Sequence, residues 1–238
     1  MKPQLDICLS PLLLELHELR GKTAVIVDIF RATSCMVAGL GSGVSEIVPV
    51  STIEECLIWK AKGYLAAGER NGIKVKRFDL GNSPLGFITP EVKGEKIVMT
   101  TTNGTRALNL SAEAEEIVVG AFLNLSTVVE YLAKQQRDTV LVCAGWRGNV
   151  NMEDTLFAGA VADALQNHFT TQTDAVRVAL ALYEQSKKTS LRAFLETAAH
   201  YQRLVRRSKT VEQDLIFNLT VNKFNVLPYL SENRLILK

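Results

Sequence analysis

Polar and charged residues gather at five places in this 238-residue chain, mostly just after short β-branched runs. The first cluster is Asp28-Ile-Phe-Arg31-Ala-Thr33-Ser34, and the second is Gly68-Glu69-Arg70-Asn71-Gly72. A loop then carries Phe78-Asp79-Leu-Gly81-Asn82-Ser83-Pro84. The fourth is Thr100-Thr101-Thr102-Asn103-Gly104-Thr105-Arg106, and the fifth joins Ala144-Gly145-Trp146-Arg147-Gly148 to Glu153-Asp154-Thr155. The residue types point to an anion and a metal. Asp28, Glu69, Asp79, Glu153 and Asp154 are hard oxygen ligands without an accompanying Cys or His cluster, which suits Mg²⁺ better than zinc. Arg31, Arg70 and Arg106 can each grip an anionic oxygen pair. The run from Thr100 to Arg106 offers hydroxyls and turn amides ahead of a helix-like stretch, a setting for phosphate or sulfonate. Five carboxylates beside an anion would repel it without an intervening cation. The set therefore describes metal-assisted chemistry on a phosphate ester. No G-x-x-x-x-G-K-[ST] loop and no G-x-S-x-G elbow occurs in the sequence.

Each residue also has a plainer reading. Asp28 can cap the next helix, and Asn71-Gly72 and Asn103-Gly104 are ordinary turn signals. Glu153 and Asp154 open a helix, where the dipole favours acids. Cys143 at a strand end reads as a packed thiol, and Cys35 and Cys56 as helix-face core residues. His200, in the middle of a helix, reads as structural ahead of catalytic acid; Trp146 could cover a ligand. Convergence of the clusters on one site is what favours the chemical reading.

The elements that must position these clusters alternate. Thr23–Asp28 reads as a buried strand, and Glu46–Val50, Tyr64–Gly68, Lys96–Thr100, Glu116–Gly120 and Thr139–Cys143 as further strands. Pro49 marks an edge or a strand end. Helices are expected over Ala32–Leu40, from a Thr52 cap with Glu55 as its reciprocal partner to Lys62, over Ser126–Gln136 and over Glu153–Asn167. This alternation predicts an α/β fold with a mainly parallel or mixed central sheet, whose carboxyl ends carry the ligand site. From Asp174 the pattern turns helical, with amphipathic stretches over Asp174–Ser186 and Ser190–Val205, and ends in strand, turn, strand over Asn225–Tyr229 and Arg234–Leu237. No Gly, Ser or Pro linker separates this third. One domain over 1–238 is expected, with any subdivision falling near residue 170.

The composition is 47% hydrophobic and 22% charged, which excludes disorder and coiled coil. The net charge of +2 makes the whole chain a poor match for nucleic acid or membranes. It hides an imbalance: residues 1–173 carry 16 basic and 19 acidic side chains, net −3, and residues 174–238 carry 11 and 6, net +5. The basic stretch Arg203, Arg206, Arg207 and Lys209 reads as a solvated helical face adding positive potential, with the chemistry confined to the acidic part. No apolar run reaches the ~20 residues of a membrane helix, and the opening Met-Lys-Pro-Gln-Leu-Asp is unlike a signal peptide. With four scattered cysteines, none in a Cys-x-x-Cys pair, a cytoplasmic protein with reduced thiols is expected. A symmetric dimer is the expected oligomer.

Val27-Asp28-Ile-Phe-Arg31-Ala-Thr-Ser34, Ala67-Gly68-Glu69-Arg70, Phe78-Asp79-Leu-Gly-Asn-Ser-Pro84, Thr100-Thr-Thr-Asn-Gly-Thr-Arg106 and Glu153-Asp-Thr-Leu156 occur in this order. In these motifs the chain resembles the ComB family, the 2-phosphosulfolactate phosphatases, most strongly over Thr23–Gly159. The resemblance implies a three-layer α/β/α fold and a Mg²⁺-dependent release of phosphate from (R)-2-phospho-3-sulfolactate, giving 3-sulfolactate on the way to coenzyme M. The chain departs from the pattern at Asn222 and Asn225, where further acidic residues are expected. On this reading Glu69, Glu153 and Asp154 are the metal ligands. Asp28, Asp79 and Glu69 are the catalytic candidates, and sequence leaves metal ligand, general base and nucleophile open for Asp28 and Asp79. Position 30 is Phe30, so the second aspartate of aspartyl-phosphate phosphatases is missing, and attack by a metal-activated water is favoured. Thr101, Thr102, Asn103, Gly104 and Arg106 would bind phosphate or sulfonate, Arg31 and Arg70 the remaining anionic groups, and Asn82 and Ser83 complete the substrate contacts. Glu69→Gln is expected to abolish Mg²⁺-dependent activity with the metal-free thermal midpoint nearly unchanged. The same chemistry on another small phospho-acid, or regulation by a bound anionic metabolite without catalysis, are the alternatives.

Overall fold

The computed structural model describes residues 1–207 and 211–238. Lys209, the last member of the basic stretch, lies outside the described residues. Ten strands form one mixed sheet in the order β1-β8-β2-β7-β9-β10-β3-β6-β4-β5. In chain order these are β1 Leu5–Cys8, β2 Thr23–Val27, β3 Glu46–Pro49, β4 Leu65–Arg70, β5 Ile73–Lys74, β6 Lys96–Thr100, β7 Glu116–Gly120, β8 Thr139–Cys143, β9 Pro228–Ser231 and β10 Arg234–Leu237. Helices α1 Ala32–Gly41, α2 Ile53–Ala61, α3 Gly104–Leu110, α4 Leu125–Gln135 and α5 Met152–Leu165 follow strands. The C-terminal third adds α6 Asp174–Ser186, α7 Leu191–Leu195, α8 Ala199–Arg207 and α9 Val211–Asn218. Helices and sheet stack as a three-layer α/β fold.

Local chemistry explains these elements. All five residues of β2 are buried, as befits a central strand covered on both faces. At α2, Thr52 Oγ1 accepts the Glu55 N–H at 3.1 Å, and Glu55 Oε2 accepts the Thr52 N–H at 3.0 Å, the expected reciprocal cap. Helix α5 is buried on nearly every side, so it needs small residues where α6 crosses it. A Cβ at Gly159 would lie 2.2 Å from the Ala179 carbonyl oxygen. Pro49 ends β3, which sits inside the sheet between β10 and β6. The stretch expected as one helix from Ser190 is broken into α7 and α8.

The sheet consists of two parallel blocks, β1-β8-β2-β7 and β3-β6-β4, with the C-terminal hairpin between them. The joints are narrow: β9 meets β7 at Val118 and Tyr229, and β10 meets β3 at Leu235 and Ile47. All three pairings across the hairpin are antiparallel, so the blocks run in opposite senses along the ladder. Five strand steps separate β2 from β6. Residues beyond the carboxyl ends of both blocks, Asp28 after β2 and Thr101 and Thr102 after β6, nevertheless line one cleft, and the right-handed twist of a sheet, on the order of 20–25° per strand, works in that direction. The expectation of a single carboxyl edge is corrected accordingly: the loops converge across a hairpin that the last residues of the chain supply.

Candidate active site

The cleft holds about 520 Å³ of space, its solvent-filled mouth included. Asp28, Phe30 and Arg31 come to it from the end of β2, and Glu69, Asn71 and Gly72 from β4 and its turn. Asn82 enters from the following loop, and Thr101, Thr102 and Asn103 from the end of β6. Trp146 and Arg147 come from the loop after β8, and His200, Leu204 and Arg207 from α8.

Carboxylates form its inner part. Asp28 is 6% exposed; its Oδ1 accepts the Ala32 N–H at 3.3 Å, and its own N–H donates to Thr33 Oγ1 at 2.9 Å. Burial raises its carboxyl to about 6; the charge of His200 opposes the rise, and those of Glu69 and Glu153 add to it. Gly104 leaves room for this side chain, since a Cβ there would lie 2.9 Å from Asp28 Oδ2 and 2.5 Å from Ala32 Cβ. Glu69 is anchored. Its Oε1 accepts the Thr102 N–H and the Thr102 hydroxyl, both at 2.9 Å, and Oε2 accepts the Gly72 N–H at 2.5 Å.

Glu153 and His200 pair behind Asp28, with Nδ1 and Oε1 2.5 Å apart. Glu153 is fully buried and its Oε2 has no partner. With Nδ1 engaged, Nε2 is the ring nitrogen left for chemistry. Asp154 has a different place. Its Oδ1 accepts the Ile29 N–H at 2.8 Å, and Oδ2 accepts the Gly145 N–H at 3.0 Å and Asn151 Nδ2 at 2.9 Å. It ties the loop after β2 to the loop after β8 and is not among the cleft-lining residues. Burial, with the charges of Glu153 and Asp28, raises its pKa well above the usual carboxylate range.

The cations are arranged otherwise than the sequence suggests. Arg31 is held in the cleft by a buried ion pair with Asp214 on α9, whose other oxygen accepts the Ser83 hydroxyl at 2.6 Å. Ser83 thus positions Arg31 through Asp214. Arg70 turns from the cleft and donates to the Glu69 carbonyl at 2.8 Å, Thr100 Oγ1 at 3.0 Å and the Ser51 carbonyl at 3.3 Å. Asp79 pairs with Lys60 at 2.7 Å and accepts the Ala66 N–H at 2.8 Å, bracing the start of β4. Arg106 lines a separate groove with Leu110, Glu113 and the 3₁₀ turn Pro11–Leu16. Asn222 and Asn225 bind Ser126 and Thr127 at the start of α4, away from the cleft. Their departure from the family pattern leaves the cleft untouched.

Three features escape sequence reasoning. Asn71, a turn residue at φ 56°, receives hydrogen bonds from both Arg147 and Arg207. Asp214, the partner of Arg31, lies 183 residues away and carries no local signal. The basic C-terminal third is more than a solvated face: α8 brings His200, weighed above as a catalytic acid, and Arg207 to the cleft, and for Arg207 the net +5 of that third is the only trace. The four cysteines are free and buried, and among the described residues no helix is long and apolar enough to cross a membrane.

A ready cage of three His, Cys, Asp or Glu ligands is absent among the described residues. Mg²⁺ does not need one, since it binds through one or two carboxylates plus waters and phosphate oxygens. The lightly bonded carboxylate of Asp28 beside Glu69, and the unpartnered Oε2 of Glu153, fit a cation better than a further anion.

Comparison with known proteins gives one answer. The family model described as 2-phosphosulpholactate phosphatase matches residues 8–233. A probable 2-phosphosulfolactate phosphatase of Caldanaerobacter subterraneus subsp. tengcongensis is 39% identical over 218 residues, 90% of each chain. Its counterpart in Thermotoga maritima is 42% identical over 217 residues, 91% of this chain and 92% of that protein. A third, from Microcystis aeruginosa, is 35% identical over 243 residues, 99% of each. The match spans every loop that lines the cleft, and the chain belongs to the 2-phosphosulpholactate phosphatase family of phosphoric monoester hydrolases.

Proposed function

We propose that this chain hydrolyses (R)-2-phospho-3-sulfolactate to 3-sulfolactate and inorganic phosphate with Mg²⁺ as its cofactor, as in a route to coenzyme M. The observation that carries the reading is one cleft in which Arg31, Arg147 and Arg207 stand around a carboxylate pair backed by a histidine. The substrate carries about four negative charges, about two of them on its phosphate. It needs several guanidiniums, and a cation where it meets carboxylates.

Asp28 and Glu69 would hold Mg²⁺. Bound there, the ion would neutralise phosphate oxygens and offset the repulsion between substrate and carboxylates. The chain's own residues do the rest. Arg31 lines the cleft and is fixed by Asp214, so it is positioned there before substrate arrives. Thr101, Asn103 and Asn82 add polar contacts around the phosphate. Phosphoryl transfer depends on positioning and charge more than on covalent chemistry, and a poor leaving group such as the C2 alkoxide gains from a proton donor. His200, oriented by Glu153, supplies that proton from Nε2.

The test is phosphate release from synthetic phosphosulfolactate in Mg²⁺ buffer, after EDTA, and after Mg²⁺ is restored. Release that stops with EDTA and returns with Mg²⁺ is expected. Full activity in EDTA would remove the metal from the reading, and release from another phospho-acid alone would reassign the substrate. No release from any of a panel of phospho-acids would leave a non-catalytic anion binder.

A further inference from the structure

Three guanidiniums that form no ion pair among the described residues gather beside the mouth of the cleft. Arg147 follows β8, and Arg203 and Arg207 lie one turn apart on α8. Arg147 Nη2 donates to Asn71 Oδ1 at 2.7 Å, and Arg207 Nη1 donates to the Asn71 carbonyl. Arg203 stacks 3.7 Å from the centroid of the Trp146 ring, and Arg147 lies 5.0 Å from the same ring. Among the described residues none of the three pairs with an Asp or Glu, whereas Arg31, Arg192 and Arg234 each do. The Nε of Arg203 is buried and has no acceptor.

The backbone is shaped to keep this group together. The turn after β4 places Asn71 at φ 56° and Gly72 at φ 80°. A Cβ at Gly72 would lie 2.8 Å from Arg207 Nη1, so the turn leaves the space that the guanidinium fills. Three like charges gathered this way repel one another unless an anion comes between them. The two guanidiniums that line the cleft, Arg147 and Arg207, approach from separate segments. One fork satisfies the two oxygens of a carboxylate; two forks suit the three equivalent oxygens of a sulfonate.

We propose that Arg147 and Arg207, braced by Arg203 on Trp146, form a second anion subsite that takes the sulfonate of the substrate. The inner residues Asp28, Glu69 and Arg31 are then left to the phosphate. The identity of the sulfonate rests on the proposed substrate; the existence of the subsite does not.

The test uses the full chain with Arg147→Met, Arg207→Met and Arg207→Lys. Calorimetric binding of 3-sulfolactate, which has no phosphate, reads the subsite without catalysis. Each Met variant is expected to weaken binding about tenfold or more, the scale of one lost charge-assisted hydrogen bond, with the Lys variant between. The second readout is the ratio of kcat/KM for phosphosulfolactate over 2-phospholactate, which lacks the sulfonate. That ratio should exceed one in the wild type and fall about tenfold or more in each Met variant. Unchanged 3-sulfolactate affinity in both Met variants, or no measurable affinity in the wild type, overturns the proposal. Equal losses on both substrates overturn it too, by moving the guanidiniums to the carboxylate. If the wild type releases phosphate from neither substrate, the phosphatase reading fails alone, and calorimetry still decides the subsite.

Discussion

Asp28→Asn is expected to stabilise the metal-free protein at pH 8 and to change it little at pH 4. The carboxyl is 6% exposed and titrates at about 6 in place of 3.8, chiefly because burial penalises its charge. A raised pKa means that the folded state holds the proton more tightly than the unfolded chain. Well below pH 3.8 both states are protonated and the site costs nothing. Between 3.8 and about 6 the unfolded chain ionises first, so stability falls as pH rises. Above that window both states are ionised and the full cost remains, about 3 kcal/mol for a rise from 3.8 to about 6. Asparagine has the same shape and still accepts the Ala32 N–H, so it removes the charge with little else. Urea unfolding in EDTA across this range gives the difference between variant and wild type. The gain should be under about 1 kcal/mol at pH 4 and grow to about 3 kcal/mol at pH 8. On the proposed reading, added Mg²⁺ should then stabilise the wild type and not the variant, which lacks the Asp28 carboxylate that would hold it. A variant less stable than the wild type at pH 8 in EDTA, or a gain independent of pH, would refute the account of Asp28 as a buried, costly charge.

Three further outcomes follow from the same contacts. Glu69→Gln should lower the metal-free thermal midpoint by about 2–12 °C, because an amide nitrogen would face an N–H donor in either orientation; this replaces the sequence-based expectation of an unchanged midpoint, and calorimetry that finds no change would return to it. Asp214→Ala should cost about 3–5 kcal/mol in denaturant unfolding and raise KM, since it strands the Arg31 charge in a buried site. Adding Arg31→Met should recover part of that stability, and a strictly additive double variant would show that the pair is not coupled. Arg106→Met should leave kcat and KM within about twofold of wild type, because Arg106 lines another groove; a tenfold rise in KM would bring it back to the cleft.

Much of the fold is legible because its signals are local. The predicted strands Thr23–Asp28, Lys96–Thr100 and Thr139–Cys143 recur as β2, β6 and β8 within a residue, since buried strands read as continuous apolar runs. The Thr52–Glu55 cap is a four-residue affair and is found as read. Strand β1 escapes because Asp6 interrupts its four residues, and β5 because it has only two. The candidate site divides in the same way. Asp28, Arg31, Thr101 and Thr102 follow strand ends and Glu69 lies in the last two residues of β4, where α/β topology makes chemistry legible. Arg70 and Arg106 stand in equally polar stretches, yet their side chains point elsewhere, and direction along a loop has no sequence period.

The site's other half is set by pairing over long separations. Arg31 reaches Asp214 across 183 residues and His200 reaches Glu153 across 47, so neither pair has a spacing that a motif could record. The hairpin β9–β10 explains why these partners arrive together. It closes the gap between two parallel blocks whose carboxyl-end residues share the cleft. The last residues of the chain therefore do more than cover the sheet. They join its two blocks, while α8 and α9 deliver the histidine, the Arg31 anchor and Arg207, which meets Arg147 from the loop after β8 at the mouth. The cleft therefore has carboxylates inside, with Arg31 beside them, and guanidiniums at the entrance, Arg147 from the acidic part and Arg207 from the basic third. A multiply charged anion would be drawn in by the guanidiniums and would need a cation to rest against the carboxylates.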